Sequence, residues 1–137
     1  MSFHPGRAFI STTKNGEHVY LVPAGVPGLT LGWNTGPAHK HPPSFLESVG
    51  GDKYIIRYGE VVVGLNTENP NAPLQMNSEI QIWSITPAEP GWYHISLEND
   101  DKCWTPLADD KNYTRNVYLR ASDGSPTQKW RIDNLRD

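Results

Sequence analysis

Apolar and polar residues alternate along most of this chain in short runs rather than recurring at helical spacing. Ala8-Phe9-Ile10-Ser11, Lys53-Tyr54-Ile55-Ile56-Arg57 and Trp92-Tyr93-His94-Ile95-Ser96 each set an aromatic one or two places before an isoleucine, with polar residues interleaved. A period of two predicts half-buried strands. Further on, each stretch closes in a run with one aromatic: Pro43-Ser44-Phe45-Leu46, Gln81-Ile82-Trp83-Ser84-Ile85 and Gln128-Lys129-Trp130-Arg131-Ile132. Two more strands fit between each opening and closing run: His18 to Val22 and Leu29 to Trp33, Val61 to Leu65 and Leu74 to Asn77, Lys102 to Thr105 and Val117 to Arg120. Asn15-Gly16, Gly50-Gly51-Asp52, Asn69-Pro70-Asn71 and Asp123-Gly124-Ser125-Pro126 separate them with residues that accept positive φ or fix φ.

Opening and closing aromatics recur at intervals of roughly forty residues, so three similar units, near 1–49, 50–88 and 89–137, account for the chain. Twelve strands in three four-stranded pseudo-repeats predict an all-β fold, the β-trefoil, with six strands in a barrel and six in hairpins that cap one end. An irregular β-sandwich is the competing arrangement. In a trefoil, Trp83, Trp130 and Phe45 are expected to pack around the pseudo-threefold axis as core, each burying on the order of 150–250 Å². A glutamine two residues before each tryptophan is placed to bond backbone where the strand enters the barrel.

Composition supports a loop-rich β domain: 137 residues hold 12 Gly, 12 Pro, 5 Trp and 6 Tyr. That length implies one core in a single domain spanning 1–137. A net charge of −3 with scattered Lys and Arg gives nucleic acid no basic surface to bind. The single cysteine, Cys103, leaves no intrachain disulfide to staple the fold. With no apolar leader near Met1 and no run of about 18 apolar residues, the expected location is cytoplasmic, with unconventional export open, and no membrane partner is expected. Asn112-Tyr113-Thr114 matches a glycosylation sequon that would then stay idle.

Function on such a scaffold lies in its loops, and three classes compete. Gln-x-Trp is shared with ricin-type lectins, whose sugar sites combine an aromatic platform with an Asp or Asn that chelates two hydroxyls; Trp33, Trp92 and Trp104 are candidate platforms. An enzyme finds little support. His39-Lys40-His41 places alternate histidines on one face of an extended segment without a third ligand nearby, and reads as a polar loop rather than a metal site. Asp100-Asp101 and Asp109-Asp110 read as loop tips, and Cys103 as a packed thiol. A proteinase inhibitor needs only a projecting loop stiffened in an extended form, so that little entropy is lost on binding. Two proline-bearing segments qualify: Pro23-Ala24-Gly25-Val26-Pro27-Gly28 after Val22, and the stretch from Asn34 through His39, Lys40 and His41 to Pro43.

The runs Trp83 to Ile95, Cys103-Trp104-Thr105-Pro106, Val117-Tyr118-Leu119-Arg120 and Gln128 to Ile132 resemble the fungal β-trefoil serine proteinase inhibitors called mycospins, relatives of the mycocypins that act on cysteine proteinases. The likeness covers roughly residues 80 to 132. It implies a disulfide-free intracellular protein, a monomer or weak dimer without cofactor, that occludes a serine protease, possibly a cysteine protease, through one exposed loop. The loop implicated in mycospins maps to Pro23 through Gly28, which carries no basic residue. Lys40 in the next loop suits a trypsin-like acidic pocket, and Asn34 an asparagine-reading one. Glu17-His18 and Tyr58-Gly59-Glu60, with Arg57 beside it, are further loops such an inhibitor could use. A glycan is the alternative partner, and the carbohydrate-binding β-trefoil lectin the alternative function.

Overall fold

The computed structural model describes residues 3–14, 16–23, 31–65, 68–69, 71–77, 79–98, 100–109 and 114–135. Its twelve strands are β1 (Gly6–Lys14), β2 (Glu17–Pro23), β3 (Leu31–Thr35), β4 (Ser44–Gly50), β5 (Lys53–Tyr58), β6 (Val61–Gly64), β7 (Gln75–Asn77), β8 (Trp83–Glu89), β9 (Trp92–Leu97), β10 (Lys102–Asp109), β11 (Thr114–Ala121) and β12 (Arg131–Asn134). Short 3₁₀ turns at Ala38–Lys40 and Pro126–Gln128 precede β4 and β12. Tight turns join β5 to β6 and β8 to β9, where Gly59 at φ 62° and Gly91 at φ 84° hold left-handed conformations that a Cβ would strain.

Strands β12, β1, β4, β5, β8 and β9 pair in that order, all antiparallel. The ring closes where Tyr93 and Trp130 exchange backbone bonds of 2.9 and 2.8 Å. Closure leaves the barrel without an edge. Hairpins β2–β3, β6–β7 and β10–β11 cap one end. They meet at Leu31, Leu74 and Val117, all buried, where Leu31 N donates to Leu74 O at 2.9 Å and Leu74 N to Val117 O at 2.8 Å. This is the β-trefoil that the forty-residue recurrence predicts.

Strand register establishes which positions are equivalent. Ile10 faces Ile132, Ile56 faces Leu46 and Ile95 faces Ile85, three buried apolar pairs related by the pseudo-threefold axis. Two residues earlier, Tyr54 faces Trp83 and Tyr93 faces Trp130, but in the first unit Ala8 faces Ser44. The counterpart of the closing tryptophans is therefore Ser44. Phe45, expected in the core, is 46% exposed. A shift of one residue along a strand moves a side chain to the opposite face, so an aromatic one place late points outward.

The first unit makes good both missing rings from elsewhere. Trp83 Nε1 donates to Val63 O at 2.9 Å and Trp130 Nε1 to Trp104 O at 3.1 Å. The equivalent carbonyl, Leu21 O, takes its bond from the hydroxyl of Tyr58 on β5 at 3.2 Å. Burial pushes the Tyr58 phenol far above its ordinary value. At Ala8, where the other units carry Tyr54 and Tyr93, Phe3 supplies the ring, its centroid 5.6 Å from Tyr54 and 4.9 Å from Tyr93. The third core indole is Trp104 of β10, edge-on to Trp83 at 5.2 Å and to Trp130 at 6.0 Å.

Candidate functional site

A cavity of about 210 Å³ lies on the outer face of the third unit. It is lined by Thr86 of β8, His94 and Ser96 of β9, Asp100 and Asp101 of the turn that follows, Cys103 of β10 and Ser122 after β11. The strand period places them there: Trp83, Ile85, Tyr93 and Ile95 turn into the barrel, so Thr86, His94 and Ser96 turn out. Thr86 faces His94 and Cys103 faces Ser96 across the ladders, which brings the lining residues of three strands side by side.

Gln128, the first residue of the second Gln-x-Trp, builds the far wall. Its side chain is 1% exposed, and Nε2 donates to Ala121 O at 2.9 Å and to Thr105 Oγ1 at 3.1 Å. Oε1 accepts from Asp123 N at 2.9 Å. One amide thus fixes both ends of the segment that carries Ser122. Ser122 N also donates to Asp101 O at 3.2 Å, tying that wall to the opposite turn, where Asp100 Oδ1 accepts from Lys102 N at 3.1 Å. Among the described residues Gln81, its sequence counterpart, makes a single side-chain bond, to Ile82 O at 3.2 Å.

Burial first, then the carboxylates of Asp123 and Asp101, push the Cys103 thiol up to about 11. It stays protonated at neutral pH and is a poor nucleophile. Hydrogen bonds from Ser125 hold the Asp123 carboxyl below its ordinary value. His94 Nε2 is buried and finds no hydrogen-bond partner among the described residues. The groove can therefore offer carboxylate acceptors, three hydroxyls and an imidazole to a polar ligand. No cluster of three or more His, Cys, Asp or Glu fit to hold a metal ion occurs among the described residues.

Register also locates the same groove in the other two units, and both hold side chains of their own. In the second unit Glu47, Ile55, Arg57 and Val62 stand where Thr86, His94, Ser96 and Cys103 stand in the third. There Arg57 Nε lies 3.0 Å from Glu47 Oε1 as an ion pair. In the first unit the matching residues are Asp133, Phe9, Ser11 and Tyr20. Tyr20 is stacked between His18 and His41, with centroids at 5.0 and 5.1 Å, and meets Phe9 edge-on at 6.3 Å. His18 Nε2 lies 2.8 Å from Ser11 Oγ.

The loop residues singled out in the sequence fall mostly on this first unit. Pro23 ends β2, while Ala24, Gly25, Val26, Pro27 and Gly28 lie outside the described residues. Asn34, exposed on β3 opposite Tyr20, accepts from Arg115 Nη1 at 3.3 Å. Lys40 is exposed at the end of the 3₁₀ turn, His41 is drawn onto Tyr20, and the side chain of His39 lies outside what is described. The structure therefore gathers Asn34 and His41 around Tyr20 and leaves Lys40 projecting. Of the candidate sugar platforms, Trp104 is core and Trp33 is 8% exposed, its Nε1 bonded to Leu107 O at 3.2 Å. Trp92 is half-buried, with the Arg131 guanidinium 5.9 Å above its ring.

Asp100-Asp101, read from the sequence as a loop tip, is exposed in the turn between β9 and β10 and there lines the groove. Thr86, His94, Ser96 and Ser122 carry no motif; their only signal is polarity on the outward face of core strands.

No protein-family model matches the chain, and no curated protein matches it in sequence. Solved structures do match in fold. The designed threefold-symmetric protein ThreeFoil aligns over 95% of this chain and 99% of its own, with a TM-score of 0.77 and 16% identity. The Macrolepiota procera ricin B-like lectin, solved in complex with lactose, aligns over 98% and 100%, with a TM-score of 0.78 and 15% identity. The Rhizoctonia solani agglutinin aligns over 98% and 99%, with a TM-score of 0.75 and 13% identity. At these identities the likeness is one of fold.

Proposed function

We propose that the protein is a carbohydrate-binding β-trefoil whose ligand site is the groove of the third unit. The observation that carries this reading is the inequality of three equivalent grooves: an ion pair takes up one and a ring ladder another, whereas the third is open and lined by hydroxyls, carboxylates and an imidazole. A sugar hydroxyl is both donor and acceptor, and carboxylates beside hydroxyls meet it in both senses. The fold likeness to a lectin solved with lactose supports the same class. Glycan-array screening followed by calorimetry tests it. Binding that Asp101→Asn weakens by about tenfold, the loss of a charged hydrogen bond, is the expected outcome. An array without a hit, or hits untouched by Asp101→Asn, would remove the reading.

Protease inhibition is a second reading, and Lys40 is the residue that favours it, exposed on a turn bounded by Pro37 and Pro42. A projecting lysine on a short, stiff segment suits a protease with an acidic specificity pocket. Inhibition of a trypsin-like protease that disappears in Lys40→Ala would support it; no inhibition across serine and cysteine proteases would end it.

A further inference from the structure

Resting on the carbohydrate reading of this groove, we propose that its preferred ligands are sugars bearing a free amine, the hexosamine units left when an N-acetyl group is removed, over N-acetylated or anionic sugars. The second unit supplies the first argument. At the equivalent place it holds its own cation, the Arg57 guanidinium, 3.0 Å from a carboxylate. In the third unit the arginine's position is Ser96, a side chain too short to fill the space, and carboxylates arrive instead from the turn after β9, at Asp100 and Asp101. Thr86 and Ser96 thus stand where Glu47 and Arg57 pair in the second unit, and the groove has acids of its own without a cation beside them. A ligand ammonium would take the place that the guanidinium occupies in the second unit.

Among the described residues, no lysine or arginine lines the groove. Arg120, the register partner of Cys103, lies over the Tyr118 ring at 4.7 Å and donates to Leu119 O at 2.8 Å. Lys102 is exposed, and its backbone N–H donates to Asp100 Oδ1. Burial first, and then the Asp123 and Asp101 carboxylates, raise the Cys103 thiol, in keeping with the acids that the geometry places at the groove.

The test is a calorimetric titration of the whole protein with a glucosamine oligomer, its N-acetylated form and a uronic-acid oligomer of equal length, in wild type, Asp101→Asn and Glu60→Gln. Glu60 sits in the β5–β6 turn of another unit and controls for loss of net charge. The free-amine oligomer is expected to bind about two- to fivefold tighter than the N-acetylated one. Added salt should shrink that preference, Asp101→Asn should abolish it, and Glu60→Gln should leave it intact. Equal binding of the first two, or tighter binding of the uronic-acid oligomer, with Asp101→Asn still weakening it, would overturn the amine preference while leaving the carbohydrate reading standing. Should none of the three bind, the preference is lost, and the glycan array decides the broader reading separately.

Discussion

The Tyr58 hydroxyl donates to Leu21 O at 3.2 Å, at the place where the other two units use the indole nitrogens of Trp83 and Trp130. Three equivalent carbonyls at the junction of barrel and cap therefore receive three donors, one of them from a different residue type on a different strand. The reason is the cost of leaving a buried carbonyl unpaired. Tyr58→Phe keeps the ring and removes only the bond, and we expect it to destabilise the fold by about 1–2 kcal/mol in urea denaturation. A change within error would mean that the carbonyl is otherwise satisfied.

Phe3 and Phe45 form a paired test of the register. Phe3 is 6% exposed between Tyr54 and Tyr93, whereas Phe45 is 46% exposed. Phe3→Ala is expected to cost about 3 kcal/mol as the ring substituting for Ala8 is lost. Phe45→Ala should stay below about 1 kcal/mol. Comparable losses at both positions would contradict the one-residue offset of the first unit.

The two copies of Gln-x-Trp do unequal work. Among the described residues, Gln128 makes three bonds from a buried amide, and Gln81 makes one from a half-buried side chain. Gln128→Ala is expected to cost about 2 kcal/mol, since several buried partners lose their bond, and to weaken glycan binding by loosening the Ser122 wall. Gln81→Ala should cost roughly 0.5 kcal/mol and leave binding unchanged. Chemical denaturation beside calorimetry separates the two effects.

Cys103 gives the protein a pH signature. Its native thiol, pushed up to about 11 chiefly by burial, holds its proton more tightly than the unfolded chain does. The stability linked to it is therefore complete below pH 9 and is lost as pH rises through about 11, by on the order of 2 kcal/mol. Cys103→Ala should flatten that part of the stability profile. Iodoacetamide labelling of the native protein should stay slow at pH 8 and accelerate toward pH 11; rapid labelling at pH 8 would contradict a buried, carboxylate-flanked thiol.

The three-unit trefoil is legible in the sequence because strand alternation and the recurrence of Gln81-x-Trp83 and Gln128-x-Trp130 are local and periodic. Phe45 misleads because it sits one residue beyond its structural counterpart, and the real counterpart, Ser44, carries no ring to mark it. Trp104 reads in the sequence equally as a platform or as core, because nothing in its strand says which face is covered; the structure buries it. The groove was hidden for a different reason. It is assembled by cross-strand register among Thr86, His94, Ser96 and Cys103, ordinary polar or small residues whose significance lies in being smaller than Arg57 or Tyr20 at equivalent places.

The inequality of the three grooves is tested most directly by mapping amide shifts while a bound glycan is titrated into isotopically labelled protein. One ligand per chain is expected, with perturbations gathered at Thr86, His94, Ser96, Asp100 to Cys103 and Ser122. Perturbations centred on Arg57 and Glu47, or on Tyr20 and His41, or a stoichiometry of three, would contradict a site confined to the third unit.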